Sequence, residues 1–449
     1  MNPVSTIICG KEKTGKDHVL KFETKEGELE VGLPKVSEKD IQEMKSVDKS
    51  AMHDLSIDEI ISFYQHVRRL WESKTYEKRE ELVDLTHRMT GYSREMIELG
   101  MRQIQEMLSE KNLETMLNSE LGDKRFLDEW IPKGEISIHC QPRGNVLHIL
   151  AGNVPPVSVL SLLRGTLTKN CNIAKMPSGD VVTSSYLAQS YLDVDPEHPI
   201  TKSTSVVYWP SDEKKILDEL MSFVDCVCVW GGKEAVETIR KEAPSKIELL
   251  EFGPRRGIQL IGKEAFNELK QVSLKASHDL TLFDQEGCFS PQIGFVEGDV
   301  EKYAKFLAES LKEENERLPK GHRPLDGHAA ITHTREYSKF RGHRVFTSGK
   351  TEWTIIIVNK LEEIKTHPLG RTIFLVPVKS IRDAVDHIGP ETQVVAIEPF
   401  DRAIELRDEL TLKGVDRITH LGKMGYFAVG APHEGMYPLS RMVRWVKSR

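Results

Sequence analysis

Short apolar runs alternate with longer amphipathic stretches through the middle of the chain. The runs are rich in branched side chains, as strands buried on both faces are. The predicted strands are Val146–Leu150, Asn172–Met176, Ser205–Trp209, Cys226–Trp230 and Ile247–Phe252. The predicted helices between them are Val157–Leu167, Val181–Leu192, Asp212–Phe223 and Glu234–Lys241. This alternation predicts βαβ units and an α/β fold with a doubly wound parallel sheet, the architecture of nucleotide-binding domains.

The same pattern continues with less regularity beyond residue 260. A helix is expected near 264–275, followed by a charged connector at Lys312–Arg323. The other expected elements are the strands Gln292–Val296, Thr354–Val358, Thr372–Val378 and Thr392–Ile397 and the helices Val300–Leu311, Ile381–Ile388 and Asp401–Leu412. These elements predict a second α/β domain.

Helical periodicity marks the region before the first sheet. Ser56 to Glu59 form a capping-box pattern, and Ile60, Tyr64, Val67 and Trp71 share one helical face. Together these patterns divide the whole chain into five predicted segments. They are a helical region at 1–129 that packs on the cofactor domain, an extended arm at 130–142, a cofactor domain at 143–259, a catalytic domain at 260–425 and a tail or arm at 426–449.

Composition narrows the class of protein. The chain has 449 residues, of which 39% are hydrophobic and 29% charged, and a net charge of −7. This balance predicts a globular protein without affinity for nucleic acid or anionic membranes. No apolar run approaches the ~20 residues that span a bilayer. The N-terminus lacks the pattern of a signal peptide, so a cytoplasmic location is expected.

Cysteine usage agrees with a reducing compartment. None of the six cysteines forms a C-x-x-C pair, and Cys226 and Cys228 read as packing in a buried strand. Cys288 is different, because it lies in the polar stretch from Asp284 to Gln292 between a glycine and a proline. That setting is compatible with a reactive thiol, and on these residues alone also with an ordinary loop cysteine.

Two binding patterns are absent from the sequence. The turn after the first strand, Ala151 to Pro156, is not the G-x-G-x-x-G fingerprint, so a dinucleotide would need another binding geometry. Among the 16 histidines, His322, His328 and His333 fit no compact ligand motif, so no metal is expected.

Several short motifs together resemble the aldehyde dehydrogenase superfamily. They occur in the order Ala-Gly-Asn-Val-Pro (151–155), Lys-Met-Pro-Ser (175–178), Trp-Gly-Gly (230–232), Leu-Glu-Phe-Gly (250–253) and Cys288. The Gln-Glu-Gly-Cys-Phe-Ser-Pro-Gln stretch (285–292) and the segments 414–418 and 432–435 look most like the acyl-CoA reductase branch, typified by the fatty-acid reductase of bacterial bioluminescence. The resemblance covers about residues 130–449.

The resemblance implies catalytic roles for three residues. Cys288 would be the nucleophile, and the Asn153 amide with the Cys288 N–H would stabilise the oxyanion. Glu251 would be the general base. From the residues alone, Asn153 could instead stabilise its turn, Glu251 could be a solvated strand-end carboxylate, and Glu248 competes with it.

The resemblance also implies a nicotinamide cofactor. Lys175 would bind the adenosine ribose, and Gly231, Gly232 and Gly253 would belong to the cofactor site. Many relatives that prefer NAD carry a carboxylate where this chain has Ser178, which favours NADPH while leaving NADH possible. The stretch Thr366–Arg371 lacks the carboxylate that holds the nicotinamide ribose in the superfamily, so no residue is assigned there.

The function expected from this resemblance is reduction of an acyl-CoA or other acyl thioester, with a fatty acyl group, to the aldehyde. The alternatives are oxidation of an aldehyde by the same cysteine and a non-catalytic scaffold. The arm and tail are expected to mediate homo-oligomerisation, and an acyl-donating partner enzyme is possible.

Overall fold

The computed structural model describes residues 2–426 and 428–449. The chain forms two compact units. The first comprises residues 2–90, 97–253 and 428–449, and the second comprises 91–96 and 254–426. The N-terminal region and the tail thus share a compact unit with most of the predicted cofactor domain.

Strands precede the helices in the N-terminal region, so helical structure begins at Glu38 rather than at the start of the chain. The elements are β1 (Asn2–Pro3), β2 (Thr6–Ile8), β3 (Lys11–Lys13), β4 (His18–Thr24), β5 (Gly27–Leu33), α1 (Glu38–Lys45), α2 (Ser50–Asp54), α3 (Ile57–Glu72), α4 (Glu77–Thr90), α5 (Arg94–Met107) and α6 (Glu110–Leu121). The capping box predicted at Ser56 is present, with Ser56 and Glu59 each bonded to the other's backbone.

The first unit continues with the alternation that the sequence predicted. Its elements are β6 (Ile131–Lys133), β7 (Ile136–Pro142), β8 (Asn145–Ile149), α7 (Pro155–Leu167), β9 (Cys171–Lys175), α8 (Thr183–Val194), α9 (Pro199–Lys202), β10 (Thr204–Val207), α10 (Lys214–Met221), β11 (Cys226–Trp230), α11 (Lys233–Glu242) and β12 (Glu248–Phe252). The predicted strands and helices between 145 and 252 are confirmed to within about two residues at each end.

A seven-stranded sheet forms the centre of the first unit, in the order β12-β11-β8-β9-β10-β2-β3. The strands from β12 to β10 are parallel, whereas β2 and β3 extend the sheet antiparallel. Val227 and Val229 of β11 join Leu147 and Ile173 in a buried core on one face. The doubly wound parallel sheet is therefore confirmed.

The second unit has the remaining elements except the last two. They are β13 (Arg256–Ile261), α12 (Leu269–Thr281), β14 (Pro291–Glu297), α13 (Val300–Arg317), α14 (Leu325–Phe340), β15 (Arg344–Thr347), β16 (Thr354–Ile357), β17 (Thr372–Val378), β18 (Thr392–Glu398), α15 (Asp401–Leu412) and β19 (Arg417–Thr419). Short 3-10 helices span Lys263–Glu268, Leu282–Gln285, Leu361–Glu363 and Ile381–His387 in this unit and Lys124–Leu127 in the first.

The second sheet has the order β15-β16-β17-β14-β13-β18-β19 and is parallel except at β15. Successive residues of a strand enter different cores: Val394 and Ala396 pack into one, Val395 and Ile397 into the other. Burial on both faces explains why these strands read as continuous apolar runs. The sequence missed β13, α14, β15 and β19. The expected connector was wrong at its start, because α13 continues to Arg317.

The C-terminal residues return to the first unit as α16 (Pro438–Met442) and β20 (Val443–Ser448). Strand β20 pairs antiparallel with β7, and β7 pairs with β6, so the predicted arm and tail form one three-stranded sheet. Its role in oligomerisation stays a prediction. No helix of the described residues is long and apolar enough to cross a membrane.

A buried carboxyl in α12 holds a loop of the second unit. The Asp279 carboxyl accepts hydrogen bonds from the backbone N–H groups of Gly422 (2.6 Å) and Met424 (2.9 Å). Burial raises the pKa of Asp279 from 3.8 to about 7, although both N–H donors favour the charged form. The folded protein therefore holds this proton to higher pH than the unfolded chain does.

Replacing Asp279 by Asn should remove a pH-dependent part of the stability. Between the unfolded pKa of 3.8 and the folded pKa of about 7, the wild type loses stability as pH rises, because only the unfolded chain readily releases the proton. The free energy of unfolding of Asp279→Asn relative to wild type should rise by about 1.4 kcal/mol per pH unit across this window. Urea unfolding at several pH values measures it.

The control for this comparison is Asp386→Asn, at a carboxylate whose side chain is 87% exposed. The pH profile of this variant should be flatter than that of Asp279→Asn. A flat profile for Asp279→Asn as well would contradict the assignment of the raised pKa.

Candidate active site

The carboxyl ends of the parallel strands in the first sheet bring the predicted general base Glu251 and the predicted cofactor residues to one edge. Glu251 is paired with Val229, Val229 with Ile149, and Ile149 with Lys175, so these residues form one row across four strands. With strands 4.7–4.9 Å apart, Glu251 and Lys175 are separated by about 14 Å. Ligands of open α/β sheets bind along such an edge.

The turn after β8 carries Asn153. Asn153 is exposed, and α7 begins two residues later with Pro155 and Pro156 in its first turn. Proline suits these positions because its fixed φ is helical and its missing N–H would have no partner there. A Cβ on Gly152 would lie 3.0 Å from the Asp180 backbone N, so this turn packs closely on the next one.

Lys175 ends β9 and is half-buried. Its Nζ lies 5.4 Å from the centre of the Trp209 ring, and burial lowers the pKa of this ammonium. Within residues 2–426 and 428–449, Lys175 has no carboxylate partner. Ser178 and Gly179 just beyond it are exposed. A half-buried ammonium that lacks an acidic partner fits the hydroxyl groups of a ribose.

Glycines follow the next two strands along the edge. Gly231 and Gly232 lie between β11 and α11, and Gly232 is the N-cap of α11. Gly253 follows β12, and a Cβ on Gly232 or Gly253 would meet nothing within 4 Å. The open backbone before the N-terminus of a helix fits a bound pyrophosphate. The residues of this edge therefore fit a nicotinamide dinucleotide.

Glu251 is not a solitary carboxylate. Its Oε1 accepts a hydrogen bond of 2.7 Å from Nε of Arg240 in α11, and Nη2 of the same arginine contacts Oε2. The Glu251 side chain is 23% exposed. The rival candidate Glu248 is paired with Arg143 (3.0 Å) and with Arg441. General-base catalysis by Glu251 would require the arginine to move away.

Cys288 lies in the second unit, in a half-buried turn that follows α12. Three residues shortly before it, Phe283, Asp284 and Gln285, have left-handed backbone with φ of 46°, 48° and 71°. For residues with a Cβ this conformation costs about 1–2 kcal/mol each, so a consecutive run persists only where its surroundings impose it. The loop that presents Cys288 is therefore shaped by contacts rather than by local preference.

The other five thiols are poor candidates for a nucleophile. Burial raises the pKa of Cys9 and Cys228 to about 11 and that of Cys140 and Cys171 to about 12. Burial raises the pKa of Cys226 further. A thiolate is the reactive form, so these groups are protonated and unreactive near neutral pH.

An arginine that the sequence analysis did not single out lies near Cys288. Arg417 opens β19 and donates to the backbone carbonyls of Tyr426 (2.6 Å) and Met424. Burial lowers the pKa of Arg417, whereas the charges of Cys288 and Asp279 act in the opposite direction. The side chain is thus fixed by two carbonyls within electrostatic range of the thiol. Arg417 lies in the segment 414–418 that carries part of the family resemblance, but nothing in the sequence links it to Cys288, which is 129 residues away along the chain.

The structure thus gathers seven of the eight predicted residues in the first unit and puts Cys288 in the second. Among the described residues, no group of three or more His, Cys, Asp or Glu side chains is arranged to hold a metal ion.

This architecture defines the class of protein. Aldehyde dehydrogenase 21 from Physcomitrella patens, in complex with succinate, matches with a TM-score of 0.78, 13% identity and coverage of 99% of this chain and 97% of that one. The NADP-dependent glyceraldehyde-3-phosphate dehydrogenase from Bacillus halodurans C-125, complexed with NADP, gives a TM-score of 0.75, 16% identity and coverage of 100% and 99%. The chain has the aldehyde dehydrogenase fold.

Sequence similarity defines the family. The family model described as acyl-CoA reductase (LuxC) matches residues 52–445. The long-chain acyl-protein thioester reductase of Vibrio harveyi is 36% identical over 406 residues, 89% of this chain and 84% of that protein. The enzyme of the same name from Photobacterium phosphoreum is 31% identical over 447 residues, 99% and 90% of the two chains. This chain belongs to the acyl-CoA reductase (LuxC) family.

Alkylation should distinguish Cys288 from the other thiols. Native protein treated with iodoacetamide near pH 7.5 should lose one fast-reacting thiol, because burial keeps the remaining five protonated. Peptide mass spectrometry should locate the label at Cys288. The fast phase should vanish in Cys288→Ala and persist in Cys9→Ala, the matched control at the other half-buried thiol. Fast labelling elsewhere would contradict this.

Arg417 should lower the pKa of the Cys288 thiol. Arg417→Gln removes the positive charge and should move the pH profile of Cys288 alkylation to higher pH. Arg417→Lys keeps the charge and should leave the profile closer to that of the wild type. Identical profiles for Arg417→Gln and wild type would show that the guanidinium does not act on the thiol.

Proposed function

We propose that the protein reduces a fatty acyl thioester to the aldehyde through an acyl-cysteine at Cys288, with NADPH as reductant. The observation that carries the proposal is the Cys288 loop, where a half-buried thiol is presented by a strained backbone while burial keeps the other five thiols protonated. Membership of the acyl-CoA reductase (LuxC) family supports the choice of an acyl thioester.

The chemistry begins with acyl transfer. The Cys288 thiolate attacks the thioester carbonyl, a new C–S bond forms, and the substrate C–S bond breaks to release a thiol that takes up one proton. Charge develops on the carbonyl oxygen in the tetrahedral intermediate. By the family pattern, the Asn153 amide and the Cys288 backbone N–H are the donors to this oxygen, and loss of one such donor typically raises the barrier by about 2.7–4 kcal/mol.

Reduction completes the cycle. When bound, a reduced nicotinamide would supply the hydride that reduces the acyl carbon. The hemithioacetal at Cys288 then collapses, its C–S bond breaks, and the thiolate is regenerated as the aldehyde leaves. The positive charge of Arg417 stabilises the Cys288 thiolate before it attacks and again when it leaves as the hemithioacetal collapses. Lys175, Gly231, Gly232 and Gly253 would hold the cofactor, and the neutral Ser178 would tolerate the 2′-phosphate of NADPH.

Aldehyde oxidation is the less favoured direction. Hydrolysis of an acyl-enzyme needs a base that activates water, and Glu251, the family candidate, is held by Arg240 on both carboxylate oxygens. Reduction of a thioester needs no such water. The ion pair thus favours release of an aldehyde over release of an acid.

Two acyl donors fit the proposal. The family description names acyl-CoA, whereas the similar proteins from Vibrio harveyi and Photobacterium phosphoreum are named for acyl-protein thioesters. Both donors present the same thioester carbonyl to Cys288. An acyl-protein donor would make this chain one component of a complex with an acyl-donating enzyme, and a cytoplasmic homo-oligomer stays the expectation for its quaternary state.

The experiment is a substrate comparison with one variant. Purified protein is mixed with NADPH or NADH and a series of saturated acyl-CoA thioesters, and the absorbance of the reduced nicotinamide is followed. We expect oxidation of NADPH that depends on the thioester, with formation of the aldehyde, and loss of at least about 10³-fold of the rate in Cys288→Ala. Acyl groups attached to a carrier-protein thiol form the second substrate arm.

Three outcomes contradict the proposal. Reduction of NADP by aldehyde without any thioester reduction would favour the dehydrogenase direction. Full activity of Cys288→Ala would exclude the acyl-cysteine, and preference for NADH would overturn the role of Ser178. The matched control is Cys9→Ala, which should keep wild-type activity.

A further inference from the structure

Two separate stretches of left-handed backbone meet in the second unit. One is Phe283–Gln285, which precedes Cys288, and the other is Leu369–Arg371, with φ of 56°, 63° and 62°. The second stretch ends directly before β17. Left-handed runs of non-glycine residues are rare, and such strain concentrates at functional positions.

An ion pair joins the two stretches. Nε and Nη2 of Arg371 lie 2.8 Å and 2.7 Å from Oδ1 of Asp284. The exposed fraction is 0% for the Arg371 side chain and 4% for that of Asp284. We call this pair the Asp284–Arg371 clamp.

Further hydrogen bonds fix both members of the clamp. The second carboxylate oxygen of Asp284 accepts from the Gly321 backbone N–H at 3.0 Å, and Nη1 of Arg371 donates to Oδ1 of Asn315 at 2.9 Å. Lys320 donates to the Gly370 carbonyl at 2.9 Å. The charges in this region are thus oriented by neighbours on α13, on the loop after it and on the second left-handed stretch.

The residue after Asp284 ties the same loop to two strands. The Gln285 amide nitrogen donates to the carbonyls of Pro291 (2.6 Å) and Thr372 (2.5 Å), and its oxygen accepts from the Thr372 N–H at 2.9 Å. Pro291 and Thr372 are the first residues of the neighbouring strands β14 and β17. Each polar side chain of the left-handed run is therefore bonded to a fixed point of the sheet or its flanking loops.

We propose that Arg371 is a positioning residue for the acyl-transfer step, which it serves by holding Asp284 and thereby the direction in which Cys288 presents its sulfur. The inference rests on the proposed function. A buried ion pair is an inefficient source of stability, since apolar groups of similar volume often stabilise as well or better, but it selects one conformation among several. The clamp selects the conformation that the backbone by itself disfavours.

The test separates positioning from folding with a double variant. Arg371→Met alone leaves a buried carboxylate without its cation and should lower the melting temperature. Asp284→Asn combined with Arg371→Met removes both charges and should recover most of that loss. If the clamp only stabilises the fold, the rate of Cys288 acylation should recover together with the melting temperature in the double variant. If the clamp positions Cys288, the acylation rate should stay low although stability recovers.

Two rates on Cys288 are then compared. Acylation of Cys288 by an acyl-CoA, measured in a single turnover without NADPH, requires the sulfur to approach the carbonyl carbon from a defined direction. The acylation rate should fall about 30-fold or more in the double variant. Alkylation by iodoacetamide, a small reagent that tolerates many approach directions, should change by less than about threefold at the same pH. The control is Glu297→Gln combined with Arg402→Met, at another ion pair of the second unit, and it should acylate at the wild-type rate.

Wild-type acylation by the folded double variant would overturn the positioning role while leaving the proposed function intact. If no thioester acylates Cys288 in the wild type, the proposed function is contradicted, and so is the role of Arg371 in acyl transfer. Hydrogen exchange then decides whether the clamp holds the loop: residues 283–289 should exchange faster in the double variant, and unchanged exchange would contradict the clamp itself.

Discussion

A parallel sheet must be covered on both faces, because its strands are joined by crossover helices that pack against it. Both sheets of this protein obey that constraint, and the alternation of Val394 and Ala396 with Val395 and Ile397 between two cores shows it directly. The side chains of the strands are therefore buried on both faces, and the strands serve as a scaffold. Functional groups are left to the strand ends and to the loops beyond them.

The two units use this scaffold differently. In the first, Glu251 and Lys175 lie in one row at the carboxyl edge, and glycines open the backbone at the neighbouring turns. In the second, the nucleophile candidate sits before β14, on a loop with left-handed backbone. A strand end requires only a regular sheet, but such a loop requires specific partners, which Asp284 and Gln285 find on distant segments.

Much of the fold was predictable because the signals are local. The strand Cys226–Trp230 was predicted to the residue, since its apolar run is bounded by polar and glycine residues. The helix α14 was missed because its histidines, threonines and small residues give no clear apolar stripe. Candidate residues were found through motifs next to strand ends. Arg240, Arg371 and Arg417 were not, because each acts on a partner far away in sequence or across a turn.

The sequence alone determined the alternation of strands and helices, the polar setting of Cys288 and the family resemblance. Each of these depends on short runs of neighbouring residues and on the order of those runs along the chain. Tertiary structure decided that Glu251 is paired with Arg240, that four of the six thiols are buried, and that the charge of Arg417 lies within electrostatic range of Cys288. It also decided the left-handed course of Phe283 to Gln285. The physical reason is that burial, charge pairing and imposed backbone strain depend on which distant segments meet, and no local pattern encodes that.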